Sequence, residues 1–215
     1  MMRELWDDAR ELLAGRTILD GAIPVLVFGV LAGWSLPVAA ASAIGLSLLI
    51  TIWRRFKGDS AGWALGGLLG VVGAAGLALL MGRAGGFFLP GVVRSAGIAI
   101  LAVVSLLFGL PMVAWTSKVF RRWPNEWYRH PRVRPAYVET TLVWAAYFGS
   151  RALVQAVLLD DAAWLQAAVG LLWGWPGTVQ LMAGTYFYGI WRPGRLGGPS
   201  IGEWTTGEPA AQRGF

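Results

Sequence analysis

From Gly21 to Trp53 the chain carries no charged side chain, and two more uncharged stretches follow at 60–82 and 95–117. A helix needs about 20 mostly apolar residues to cross a hydrocarbon layer about 30 Å thick, and these runs reach that length. Only 14% of the 215 residues are charged and 56% are hydrophobic, where soluble domains have about 25% and about 45–50%. Runs of this kind are read as membrane spans. The 30 glycines fit the same reading, because glycine is commoner in spanning helices and lets their backbones approach closely.

The expected fold is therefore all-α: a polytopic transmembrane helical bundle of about six spans, near 20–34, 36–53, 61–82, 91–117, 137–159 and 162–191. Residues 1–19 form a cytoplasmic amphipathic segment, 20–191 the membrane domain, and 192–215 a flexible cytoplasmic tail rich in Gly and Pro. Leu36-Pro37 precedes Ser42-Ala43, and Leu89-Pro90 precedes Ser95-Ala96 at the same spacing. Each pair opens an apolar helix that ends in a basic cluster, the pattern of a repeated hairpin.

Basic residues alternate along the chain. Arg3, Arg10 and Arg16 precede the first span; Arg54, Arg55 and Lys57 follow the second; the run from Lys118 to Arg134 follows the fourth; Arg192, Arg195 and Arg213 follow the sixth. The intervening connections hold only Arg83 or the acids Asp160 and Asp161. By the positive-inside rule both termini are cytoplasmic. The net charge of +6 thus reports topology, and membrane lipids rather than nucleic acid are the expected partners. Trp123, Trp127 and Tyr128 in the basic loop suit an interfacial belt.

Ionisable side chains inside spans are costly, about 2.5–3.5 kcal/mol each, and normally face the bundle interior with partners. Arg94 lies in the outer part of the fourth span and Arg151 in the outer half of the fifth, with Gln155 one turn beyond it and Asp160, Asp161 and Gln166 near the outer turn. In one reading Arg94 snorkels to the outer headgroups and Arg151 is structural glue. In the other, the two guanidiniums line a cavity and hold an anionic group. Of the acids Asp20, Asp59 and Glu139 at the cytoplasmic ends, Asp20 and Glu139 stand where a carboxylate caps a helix start. In a catalytic version, one of them pairs with Arg55 or Lys57 as a gate, or stays protonated in a dry pocket as an acid. Trp173, Trp175 and Pro176 place a bulky kink in the middle of the sixth span, where transporters often bind substrates, and Trp144 and Tyr147 of the fifth extend an aromatic wall. Such a wall also suits a cation.

No cofactor or metal is expected. The chain lacks cysteine, its one histidine, His130, stands among arginines, and "GRAGG" lacks the lysine of a phosphate-binding loop.

At "TILDGAIPVLVFGVLAGW", "GRAGGFFLPGVVRSAG" and "GSRALVQ" the chain resembles a family of actinobacterial polytopic membrane proteins known mainly as a domain of unknown function. That family is distantly similar to intracellular septation protein A. The resemblance covers most of residues 15–190 and implies a helical bundle of the bacterial inner membrane, with Asp20, Pro90, Gly91, Arg94, Arg151 and Gln155 at its recurrent positions. Three functions stand beside one another. The first is a non-enzymatic, transporter-like protein binding a small or amphiphilic ligand at Arg94, Arg151, Gln155, Trp144, Tyr147, Trp173 and Trp175. The second is a membrane enzyme on an isoprenoid substrate, terpene-cyclase-like, using Asp20, Asp59 or Glu139. The third is a scaffold related to the envelope or septation, forming homo-oligomers through the glycines of "GGLLGVVGAAG".

Overall fold

A computed structural model describes residues 16–58 and 60–209 of the chain. Among the described residues every regular element is helical: α1 Arg16–Leu31, α2 Leu36–Phe56, α3 Ala61–Met81, α4 Leu89–Leu107, α5 Met112–Arg121, α6 Asn125–Arg129, α7 Arg134–Val157, α8 Ala163–Leu172, α9 Trp175–Arg195 and α10 Ile201–Thr206. Short 3-10 turns occupy Ala84–Phe87 and Leu158–Asp160. Three helical stretches are long and apolar enough to cross a membrane: Leu36–Phe56, Leu89–Leu107 and Arg134–Asp160. Gly21–Leu31 and Leu65–Met81 are shorter apolar helices.

Three is fewer than the six spans expected, and two of the differences have local causes. The expected fourth span stops at Leu107. Gly109 turns the chain at φ 74°, and Pro111 supplies no N–H for the helix to continue. The expected sixth span is two helices, not one kinked helix. It breaks at Trp173 and Gly174, where a Cβ on Gly174 would stand 2.4 Å from the carbonyl oxygen of Gly170. Proline at the second position of α9 has no helix partner to lose there.

The chain divides into two compact units. The first combines Met1–Gly91 with Val154–Trp175. Its centre is built from small side chains: Ala39, Ala40 and Ala43 of α2, Ala74, Ala75 and Ala78 of α3, and Ala163 and Ala167 of α8 are all buried. Alanine faces let backbones come together, so many weak dispersion contacts replace bulky interdigitation. Three phenylalanines fill the remaining space. Phe28 stacks on Phe87 with centroids 3.9 Å apart, and Phe88 meets both edge-on.

Glycines fix the closest approaches. Gly82 ends α3 in the left-handed conformation at φ 64°, and Arg83 N–H returns to Ala78 O at 3.2 Å. The following turn then folds back on its own helix, so that a Cβ on Gly86 would lie 2.8 Å from Ala78 Cα, and one on Gly85 would lie 2.1 Å from Leu159 O. On α1, a Cβ on Gly29 would lie 2.7 Å from that of Ala167. By contrast Gly62, Gly66, Gly70 and Gly73 of α3 face open space. The repeated Leu-Pro pairs both mark helix starts, at Leu36 and at Leu89.

The second unit combines Val92–Leu153 with Pro176–Phe215. Its core joins Ala114, Trp127, Tyr128, Val133 and Tyr137, with Trp123 and Ile201 packed against them. Trp127 and Tyr128, expected at the lipid interface, are buried instead. The polar ends of both rings find partners inside: Trp127 Nε1 donates to Pro199 O at 3.0 Å, and the Tyr128 hydroxyl pairs with that of Ser117 at 3.0 Å. Arg192 to Pro209, expected as part of a flexible tail, carry the end of α9, a turn at Gly197, and α10. A reciprocal capping box between Ser200 and Glu203 starts that last helix.

Gly86→Ala is expected to lower the thermal unfolding temperature of the purified protein, by overpacking worth about 1–3 kcal/mol. Gly70→Ala, into open space, is expected to be neutral or slightly stabilising in the same assay, through helix propensity.

Candidate functional site

Polar side chains in the spans are mostly closed off by their own helices. Thr51 donates to Ser47 O at 2.8 Å, Thr140 to Ala136 O at 2.9 Å, and Thr141 to Tyr137 O at 2.7 Å. Back-bonding of this kind leaves no hydroxyl unpaired in a medium without water. The exceptions therefore stand out. Among the described residues, the buried side-chain atoms without a hydrogen-bond partner are Asn125 Oδ1, Arg151 Nε, Gln155 Oε1 and Gln166 Oε1.

Arg151 is 6% exposed. Its neighbourhood is set by the packing of α4 beside α7, where a Cβ on Gly149 would touch that of Ala99 at 3.8 Å. At the start of α5, Val113 N–H donates to Thr141 Oγ1 at 3.2 Å, toward the N-terminal end of α7. These two contacts run in opposite order along the chain segments, so the helices are antiparallel. Moving from Ala99 and Gly149 away from Thr141 brings Arg94 and Arg151 to the same level. The two guanidiniums are close enough for their like charges to interact, and Tyr147, one turn before Arg151, lies within the same electrostatic range. Arg94 is exposed and Arg151 buried, so the pair has an open member and a closed one. No carboxylate pairs with either arginine among the described residues. A guanidinium with an unused N–H beside a second guanidinium presents a fork to which a phosphate or carboxylate binds in two-point fashion.

A second polar group lies at the other end of α7. Glu139 accepts from Arg192 Nε and Nη2, both at 3.0 Å, and from the Tyr188 hydroxyl at 2.5 Å. Tyr188 and Arg192 are one turn apart on α9, so both reach a single carboxylate. One and a half turns along, Trp144 Nε1 donates to Thr185 Oγ1 at 3.3 Å. The two rungs set α7 and α9 antiparallel. A carboxylate held by three donors has no proton to give, which argues against the acid role for Glu139. Its partner is Arg192, while Lys57 lies over the Trp53 ring at 4.4 Å.

Gln155 and Gln166 form a separate feature in the first unit. Gln166 Nε2 donates to the main-chain carbonyl of Gln155 at 2.6 Å, tying α8 to the end of α7. Trp173 lies at the break between α8 and α9, and Trp175 is 60% exposed. Both belong to the first unit, whereas Trp144 and Tyr147 belong to the second and pack edgewise or tilted around Phe148. The side chain of Asp20 and the whole of Asp59 lie outside the described residues. No group of three His, Cys, Asp or Glu is placed to hold a metal among the described residues.

Sequence reasoning missed Thr185, Tyr188 and Arg192. The signal was the i, i+4 spacing of Tyr188 and Arg192, which sets two donors on one helical face. Elsewhere in this unit, burial pushes the Tyr128 hydroxyl above its ordinary 10.0, against smaller pulls from the Ser117 hydrogen bond and from Arg121. Its contribution to stability is complete below pH about 10 and is lost as pH rises beyond that.

Breaking the clamp with Glu139→Gln is expected to lower the thermal unfolding temperature only modestly, since the pair is partly exposed to its surroundings. In a double-mutant cycle, Glu139→Gln in an Arg192→Gln background is expected to cost less than it does alone, as read by thermal unfolding.

The family described as "Protein of unknown function (DUF3159)" matches residues 14–190. No curated protein and no solved structure matches the chain.

Proposed function

The chain belongs to that family of unknown function, and for it we propose a polytopic protein of the bacterial inner membrane that binds the anionic head of an amphiphile between Arg94 and Arg151. The observation that carries this reading is the state of Arg151: buried, with Nε unpaired, beside a second arginine and without a carboxylate. Two cations held together in hydrocarbon repel one another and lack a counter-charge. A phosphate or carboxylate placed between them removes both costs at once. Arg94, exposed on α4, gives the head a way in from the outer leaflet.

The topology that goes with this reading has six crossings, the two shorter apolar helices and the stretch of α8 and α9 adding to the three long ones, with both termini cytoplasmic. The alternation of basic residues supports it. Transfer of the bound amphiphile, rather than chemistry on it, is the accompanying role. In the terpene-cyclase-like alternative, Glu139 is already occupied by three donors, which leaves the acid role to Asp20 or Asp59.

A second reading is favoured by one observation. Gly62, Gly66, Gly70 and Gly73 follow a helical stripe on α3 where an added Cβ would meet nothing within 4 Å among the described residues. Close approach by a second copy through that stripe would make the protein a homo-oligomer.

The test of the main reading is mass spectrometry of acidic lipids released from protein purified in nanodiscs. Wild type is expected to retain a defined acidic amphiphile. Arg151→Lys, which keeps the charge and loses the fork, and Arg94→Gln are each expected to reduce retention about tenfold or more. Retention unchanged in both folded variants would overturn the proposal.

A further inference from the structure

The turn at Phe108 to Pro111 creates an element that the sequence had merged into a span. α5 leaves the end of α4 and is pinned along one side. Met112 N–H donates to Ser105 Oγ at 2.8 Å, Val113 N–H to Thr141 Oγ1, and Ser117 pairs with Tyr128; Ala114 between them is buried. Its other side is unlike any surface a water-facing helix keeps. Phe108, Trp115, Val119 and Phe120 all point outward, Phe120 at 87% exposure. Large apolar side chains grouped in this way mark a surface that meets something other than water.

The charges beside them say what. From Met112 to Arg134 there are six basic residues and one acid, Glu126. Lys118, Arg121 and Arg122 fall in the last turn of α5 or just after it, where the helix dipole also favours cations. Arg121 is steadied by stacking over the Trp123 and Tyr186 rings, at 4.6 and 5.1 Å. Arg122 ends the helix at φ 55°, the one non-glycine residue with positive φ among the described residues. Glycine would take that conformation more easily. An arginine there spends backbone strain on keeping a cation at the rim of the apolar face.

We infer that α5 is an interfacial helix that seats anionic phospholipid headgroups of the cytoplasmic leaflet. A lipid surface supplies both halves of what the helix offers. Acyl chains cover Trp115, Val119 and Phe120, while phosphates meet Lys118, Arg121 and Arg122. An acidic soluble protein would satisfy the charges and leave the end of a membrane span and Phe108 to cover. The site is separate from Arg94 and Arg151, and its test leaves both of those residues in place.

The chain has no cysteine, so single cysteines for spin labelling require no background changes. A label at Phe120→Cys, in nanodiscs containing phosphatidylglycerol, is expected to collide with dissolved oxygen more often than with a water-soluble nickel chelate. The reverse order would place α5 in water and overturn the inference. Lipid preference is then read from phosphatidylglycerol retained out of a mixture with phosphatidylcholine. Lys118→Gln with Arg122→Gly is expected to lower that preference about fivefold for each charge lost. Thermal stability in pure phosphatidylcholine is expected to hold or rise, because glycine relieves the strained position. An unchanged lipid preference, or competition by soluble glycerol phosphate as effective as that by the lipid, would overturn a membrane seat.

Discussion

In hydrocarbon no water is available to satisfy a polar atom, so every donor and acceptor must find its partner within the protein. That single constraint explains why every regular element among the described residues is helical, since a helix closes its own backbone hydrogen bonds. It reaches the side chains as well. Thr51, Thr140 and Thr141 fold their hydroxyls back onto carbonyls one turn earlier, and Ser105 and Thr141 each accept from a main-chain N–H at the start of α5. Where the rule is obeyed this thoroughly, a departure has weight. Arg151 is the charged departure, and the anion-binding reading grows from it.

A second constraint is thickness. Without a hydrophobic drive between helices in lipid, association relies on close packing, and close packing needs small residues. The first unit follows this with alanine on α2, α3 and α8 and with glycine where the chain doubles back at Gly85 and Gly86. The second unit follows another rule. Its interior is aromatic, with Trp127, Tyr128 and Tyr137 meeting edge to face. The Trp127 indole N–H and the Tyr128 hydroxyl are both bonded within the unit, which is what allows rings of this type to leave the interface.

The outline of the fold was legible in the sequence because apolar run length is a direct physical requirement of spanning. Leu36 and Leu89 were visible as helix starts, and the match over residues 14–190 agrees with the resemblance to a family of unknown function. The breaks were not legible. Hydropathy continues smoothly through Phe108 to Pro111 and through Trp173 to Trp175, and only local backbone geometry at Gly109 and Gly174 interrupts it. Glu139 and Arg192 are 53 residues apart, and composition carries no record of which helices face one another. Trp127 and Tyr128 looked like belt residues because the chain around them is basic, and burial depended on a carbonyl at Pro199.

That carbonyl has a consequence for the order of events during synthesis. Trp127 emerges from the ribosome 72 positions ahead of the residue that accepts its indole N–H. The aromatic cluster around Trp127 likewise waits for Ile201 to pack against it. In the first unit α1 waits even longer for α8, whose Ala167 seats against Gly29. Neither unit can close in the sequence in which its parts are made. The early helices must be held in the membrane, inserted but incompletely packed, until the last third of the chain arrives.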